Sequence, residues 1–118
     1  QWQHSISATA MPTYQDSFLK KLQRVVEENL GDENFGTQQL CRLMGMSRTQ
    51  LHRKITSLLD IPTSRFIQKT RLYKARQLIL LSQKTISEIA YETGFKDPSY
   101  FTKLYVAEFD ETPSETRN

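Results

Sequence analysis

At 118 residues, 37% of them hydrophobic and 25% charged, the chain has room for one compact unit or two very small ones, and a large enclosed catalytic cavity is excluded on size. Cys41 is the single cysteine, which excludes an internal disulfide framework, and with only His4 and His52 beside it there is no metal-ligand cluster and no cofactor to expect. The net charge of +3 is mild but uneven: Arg42, Arg48, Arg53, Lys54, Arg65, Lys69, Arg71, Lys74 and Arg76 face one acid, Asp60, whereas the chain from Thr85 onward is mildly acidic.

The opening stretch, QWQHSISATAMP, lacks the charged-then-apolar pattern of a signal peptide, and no apolar run approaches the length that spans a bilayer. Residues 1–14 read as a disordered lead-in or linker; the cytoplasm is the expected compartment, and no membrane contact is expected of this segment. Beyond it the pattern is helical throughout, because apolar residues recur at three- and four-residue steps. Asp16 or Ser17 caps a first helix whose stripe is Phe18, Leu22, Val25, Val26 and Leu30, ended by Gly31. A short helix over Gln38–Met44 starts near Thr37 and stops at Gly45.

Ser47-x-x-Gln50 is a capping box that opens another helix, with Leu51, Ile55, Leu58 and Leu59 as its buried side. A long helix follows Pro62 to about Leu81, with Phe66, Ile67, Leu72, Ala75, Leu78 and Ile79 as core, and is long enough to join two subdomains. After Ser82-Gln83-Lys84 the pattern restarts. Thr85-x-x-Glu88 is a second capping box for a short helix to Thr93, Gly94 ends it, and Asp97-Pro98 opens a further helix through Phe109. Thr112-Pro113-x-Glu115 repeats the device for a terminal turn.

Aligned on their glycines, the halves correspond: Leu40-Cys41 with Ile89-Ala90, Gly45 with Gly94, Met46 with Phe95, Leu51 with Phe101, Arg53 with Lys103. A short helix, a tight glycine turn and a second helix with a polar outer face form a helix-turn-helix unit, and its repetition across a connecting helix makes the signal much stronger. Cys41 and Ala90 then read as small residues at close helix contacts, not as reactive groups.

The phrases LCRLMGMSRTQLHRKI, FIQKTRLYKARQLI and ISEIAYETGFKDPSYFTKLYVAEFDETPSETR carry a family likeness. From about Phe35 to Arg117 the chain resembles the DNA-binding domain of AraC/XylS-family bacterial transcription regulators, most specifically in the I-x-x-I-A-x-x-x-G-F core and the closing T-P-S-E-x-R. The resemblance implies an all-α domain over 15–118: two helix-turn-helix subdomains, about 37–59 and about 85–109, joined by a long linker helix, about 63–81, with two recognition helices in successive major grooves of double-stranded promoter DNA. The leading helix and MGMSRTQLHRK look especially like C-terminal output domains of response regulators and hybrid two-component sensors, so the chain reads as an excised output domain, monomeric alone, from a parent that dimerises. Three positions depart from the usual pattern: Asp110 stands in place of glycine, Thr116 of an aromatic, and Val106-Ala107 of basic residues.

With Leu51, Ile55 and Leu58 turned inward, Arg48, Thr49, His52 and Arg53 lie on or near the opposite side, toward a groove. By motif position Thr49, His52 and Arg53 match base-facing sites of the first recognition helix, and Ser99, Tyr100, Thr102 and Lys103 those of the second. Arg53 has the planar fork that reads guanine. Lys54 has the geometry of a phosphate contact, and Ser47, Lys69, Lys74, Arg76 and Lys96 are further phosphate candidates. Competing readings are a neutral surface His52, a Gln50 that serves its capping box, a Tyr100 packed between helices, and Lys69, Lys74 and Arg76 as solubilising charges. An enzyme is disfavoured, since there is no glycine-rich phosphate loop, no nucleophile with base and orienter, and no paired carboxylates in a cleft. The alternative function is a protein-interaction module whose helix-turn-helix surfaces contact RNA polymerase or a partner regulator.

Overall fold

Asp16, not Ser17, starts the first helix: its carboxylate accepts from the Leu19 amide at 3.0 Å, and α1 spans Ser17–Glu28. The computed structural model describes residues 13–118, so the expected lead-in over 1–14 lies outside the described residues except for Thr13 and Tyr14. Tyr14 is half-buried and its ring lies 6.3 Å from that of Phe66. Among the described residues there are seven helices and no strands. They continue as α2 (Thr37–Met44), α3 (Arg48–Leu59), α4 (Thr63–Leu81), α5 (Ile86–Glu92), α6 (Pro98–Phe109) and α7 (Pro113–Arg117).

Local chemistry sets most boundaries. In the box before α3 the Gln50 amide donates to the Ser47 hydroxyl at 3.1 Å and the Ser47 amide to the Gln50 side chain at 3.0 Å; Thr85–Glu88 and Thr112–Glu115 repeat it before α5 and α7. Gln50 therefore serves the cap. Asp97 accepts from the Ser99 amide at 3.0 Å, with Pro98 at the first helical position. The turns between α2 and α3 and between α5 and α6 use Gly45 at φ 66° and Gly94 at φ 90°. Both α3 and α6 end on an aspartate in the left-handed region, Asp60 and Asp110, each at φ 60°.

Burial divides the chain into two cores that share α4. Leu19, Leu22, Val25, Val26, Leu30, Phe35, Leu40, Cys41, Leu51 and Ile55 pack with Phe66 and Ile67 from the first half of α4. Leu72, Ala75 and Ile79 from its second half pack with Ile89, Ala90, Phe95, Phe101 and Tyr105. Leu51 and Ile55 are fully buried, and side chains of that kind contribute about 1.5–3 kcal/mol each, which fixes the roll of α3 and turns its polar residues outward. Three expectations need correction. α1 stops at Glu28, and Leu30 is buried from the following loop, not from the helix. Phe18 is only half-buried, under the Lys54 ammonium 4.5 Å from its ring centre, while Leu19 holds the core position. Leu58 is 42% exposed, whereas Leu59, the next residue and the last of α3, is half-buried against the first core.

The terminal helix closes the second unit. Tyr105 Oη and Thr116 Oγ1 are 2.7 Å apart, and the Arg117 guanidinium donates to the carbonyls of Ile79, Ser82 and Lys84 at 3.1, 3.2 and 2.6 Å, satisfying acceptors at and beyond the end of α4.

Candidate nucleic-acid interface

Capping at Ser47 and anchoring at Leu51 and Ile55 leave Arg48, Thr49, His52 and Arg53 exposed on the first two turns of α3. They line a groove of about 480 Å³ whose other residues are Thr37, Pro62, Thr63 and Ser64. Thr37 is the first residue of α2 and Thr63 the first of α4, so the positive ends of two helices meet the cations of a third. Among the described residues no carboxylate lines this groove. Pro62 gives α4 no side-chain cap, and among the described residues the buried Thr63 hydroxyl has no hydrogen-bond partner. Such a surface attracts anions and holds exposed donors for base edges or phosphates. The His52 ring lies 3.5 Å from the Thr56 hydroxyl, and Lys54 is exposed over Phe18.

The second recognition helix presents less. Ser99 and Lys103 are exposed on α6, and Tyr100, 54% exposed, is not packed between helices. Thr102 is half-buried and donates its hydroxyl proton to the Pro98 carbonyl at 3.0 Å, which leaves its oxygen only as an acceptor. Tyr100 and Lys96 line a cleft of about 530 Å³ with Phe35, Gln68 and Leu104. Thr37 and Ser64 border this cleft as well as the groove beside α3, so the two concavities adjoin across the junction between the units.

Part of the basic block on the linker helix is paired within the domain. Lys69 pairs with Glu108 at 3.2 Å, and Arg76 pairs with Glu111 at 3.5 Å while stacking 4.7 Å over the Phe109 ring. Arg65 joins Glu108 at 2.7 Å. Glu108 lies in the last turn of α6, about 14 Å along the axis from Ser99, at the end away from the exposed recognition residues. Burial alone would raise the Glu108 carboxyl, but the bonds from Arg65 and Lys69 outweigh it and hold the group below its ordinary range. Lys74 remains exposed.

Arg71, counted with the cations, is 6% exposed. Its Nη1 donates to the carbonyls of Leu30 at 2.6 Å and Thr93 at 2.8 Å, and its Nη2 to those of Asp32 and Phe35, both at 3.1 Å. Desolvation lowers its pKa and the Asp32 charge opposes that, yet a guanidinium keeps its proton under these conditions. A legible signal existed: Arg71 stands four residues after Ile67 and four before Ala75, on the buried stripe of the helix. Thr37, Thr63 and Ser64 were also missed as groove residues, since only folding brings helix starts from separate segments together.

Residues 40–118 match the helix-turn-helix domain family. The chain is 37% identical over 112 residues to histidine kinase P4 of Formosa agariphila, covering 95% of this chain and 8% of the kinase. The C-terminal domain of the two-component response regulator yesN from Fusobacterium nucleatum superposes with a TM-score of 0.76 at 25% identity, covering 87% of this chain and 100% of that one. A transcriptional regulator of the AraC-type DNA-binding domain-containing proteins from Chromobacterium violaceum superposes at 0.72 with 27% identity, over 86% of this chain and 94% of the other. The chain spans between 8% and 37% of the length of the curated relatives it matches first.

Proposed function

From its membership of the AraC-type helix-turn-helix family of DNA-binding transcription-regulator domains, to which the chain belongs, we propose that it reads double-stranded promoter DNA by setting α3 and α6 in successive major grooves. The observation that carries this reading is the carboxylate-free groove in which Arg48, Thr49, His52 and Arg53 face the starts of α2 and α4. Arg53 reads a base, its fork matching the O6 and N7 acceptors of guanine; Arg48, Thr49 and His52 lie beside it. Ser99, Tyr100 and Lys103 read the second groove, with Thr102 as an acceptor only. Lys54, Lys74, Lys96 and the Ser47 hydroxyl meet phosphates and set the register.

As the output end of a response regulator or hybrid sensor, the domain acts in the cytoplasm. It is monomeric alone, and an upstream dimer raises the effective concentration of two copies at paired sites. Among the described residues no helix is long and apolar enough to cross a membrane. RNA polymerase is the partner that promoter-bound copies reach.

Selection of bound sequences from a random duplex pool, followed by gel-shift titration at several salt concentrations, tests the reading. The exposed cations Arg48, Arg53, Lys54, Lys74, Lys96 and Lys103 together give a log–log salt slope of about −5.4, at roughly −0.9 per neutralised phosphate. Failure to enrich any sequence, or a slope near zero, would sink the proposal in favour of a protein-interaction module.

A further inference from the structure

We infer that Arg71 is the positioning residue that locks the two helix-turn-helix units in one relative orientation and so sets the spacing of the two half-sites they read. The inference rests on the DNA reading for its second clause only. Helices α1, α2 and α3 pack on one another and on α4, while α5, α6 and α7 do the same on the other half of α4; the two sets meet chiefly through α4 itself. A single helix can bend and twist, so it does not by itself fix two bodies that share it.

The junction supplies the missing constraint. Arg71 sits on α4 between the last residues of the first core, Phe66 and Ile67, and the first of the second, Leu72. Its guanidinium holds three carbonyls from the loop joining α1 to α2, those of Leu30, Asp32 and Phe35, and one from the turn of the second unit, that of Thr93. One planar group thus fastens a loop of one unit to the turn of the other, 41 and 22 residues away along the chain, through the same Nη1 atom. The second unit is shaped to admit it: a Cβ on Gly94 would stand 1.5 Å from Arg71 Nη1 and 2.4 Å from the Leu30 carbonyl oxygen. Glycine is required there for approach as well as for its φ of 90°. A planar fork with donors fixed in direction defines an orientation that a flexible ammonium does not.

Two variants test this, Arg71→Met, which keeps much of the length and removes every donor, and Arg71→Lys, whose ammonium reaches at most three of the carbonyls and covers the case in which the first fails to fold. After circular dichroism confirms helix content, backbone residual dipolar couplings are measured without DNA. The wild type fits one alignment frame for both units, and the variants need a separate frame for each. A single frame in the folded variants overturns the inference whatever the chain binds. On DNA, one or two base pairs are inserted between the half-sites of the selected sequence, each turning the second half-site by roughly 34°. The wild type loses affinity roughly 30-fold per insertion, the effect of one or two lost base contacts, whereas the variants bind the native spacing about tenfold more weakly but lose less than about fivefold on insertion. Equal losses on every spacing, or a profile as sharp as that of the wild type, would reduce Arg71 to a stabilising residue. A wild type that selects no DNA would remove the DNA reading while leaving the coupling measurement to judge the lock.

Discussion

Replacing Glu108 by glutamine should destabilise the domain at neutral pH and leave it nearly unaffected in acid. The carboxylate is 8% exposed and accepts from Arg65 at 2.7 Å and Lys69 at 3.2 Å, tying the last turn of α6 to the first half of α4. Hydrogen bonds to charged groups contribute about 1.5–3 kcal/mol each when removed from a buried site. Arg65 and Lys69 are 38% and 36% exposed, so water takes over much of their solvation and glutamine still accepts one bond; the net loss is about 1–2 kcal/mol. For a domain of this size that lowers Tm by roughly 4–8 °C. Because the folded-state pKa of Glu108 lies below its ordinary 4.5, the carboxylate contributes its full stability above that value and loses it as pH falls through the folded-state value. Thermal melts followed by circular dichroism at pH 7, 5 and 3 should show a gap between wild type and Glu108→Gln that is full at the first, nearly full at the second and closing at the third. A gap independent of pH, or none at pH 7, would refute the assignment of Glu108 as an ionised tie between α6 and α4.

Other outcomes follow from the exposed helices. On one selected site at fixed salt, Arg53→Ala should cost about 1–3 kcal/mol and relax specificity, and Lys103→Ala less; a larger loss for Lys103→Ala would move the principal base contacts to α6. Lys54→Ala should weaken cognate and unrelated DNA about equally and reduce the salt slope by about 0.9, and a loss confined to one sequence would show a base contact instead. Asp110→Gly should raise stability by about 0.5 kcal/mol in chemical denaturation, since a left-handed aspartate at φ 60° gains more from losing its Cβ than glycine costs in chain entropy; a lowered midpoint would mean that the aspartate side chain holds the turn.

Helix starts and stops were legible because they are decided within a few residues. Ser47 and Gln50, Thr85 and Glu88, and Thr112 and Glu115 satisfy each other across three positions, and Gly45 and Gly94 take the backbone angles that end α2 and α5. The exposed face of α3 was equally readable, since the burial of Leu51 and Ile55 at a four-residue step dictates where Arg48, Thr49, His52 and Arg53 point. The fate of the cations beyond α3 was not. Arg71, Lys69 and Arg76 look like Lys74 in composition, yet one is buried against four carbonyls and two are committed to Glu108 and Glu111, partners 39 and 35 residues further along the chain. Whether a charged side chain meets solvent, a carboxylate or a ring of carbonyls depends on which distant segment packs beside it. For the same reason the groove beside α3 came only with the fold: Thr37, Arg53 and Ser64 belong to three helices, and nothing within any one of them specifies that their ends converge.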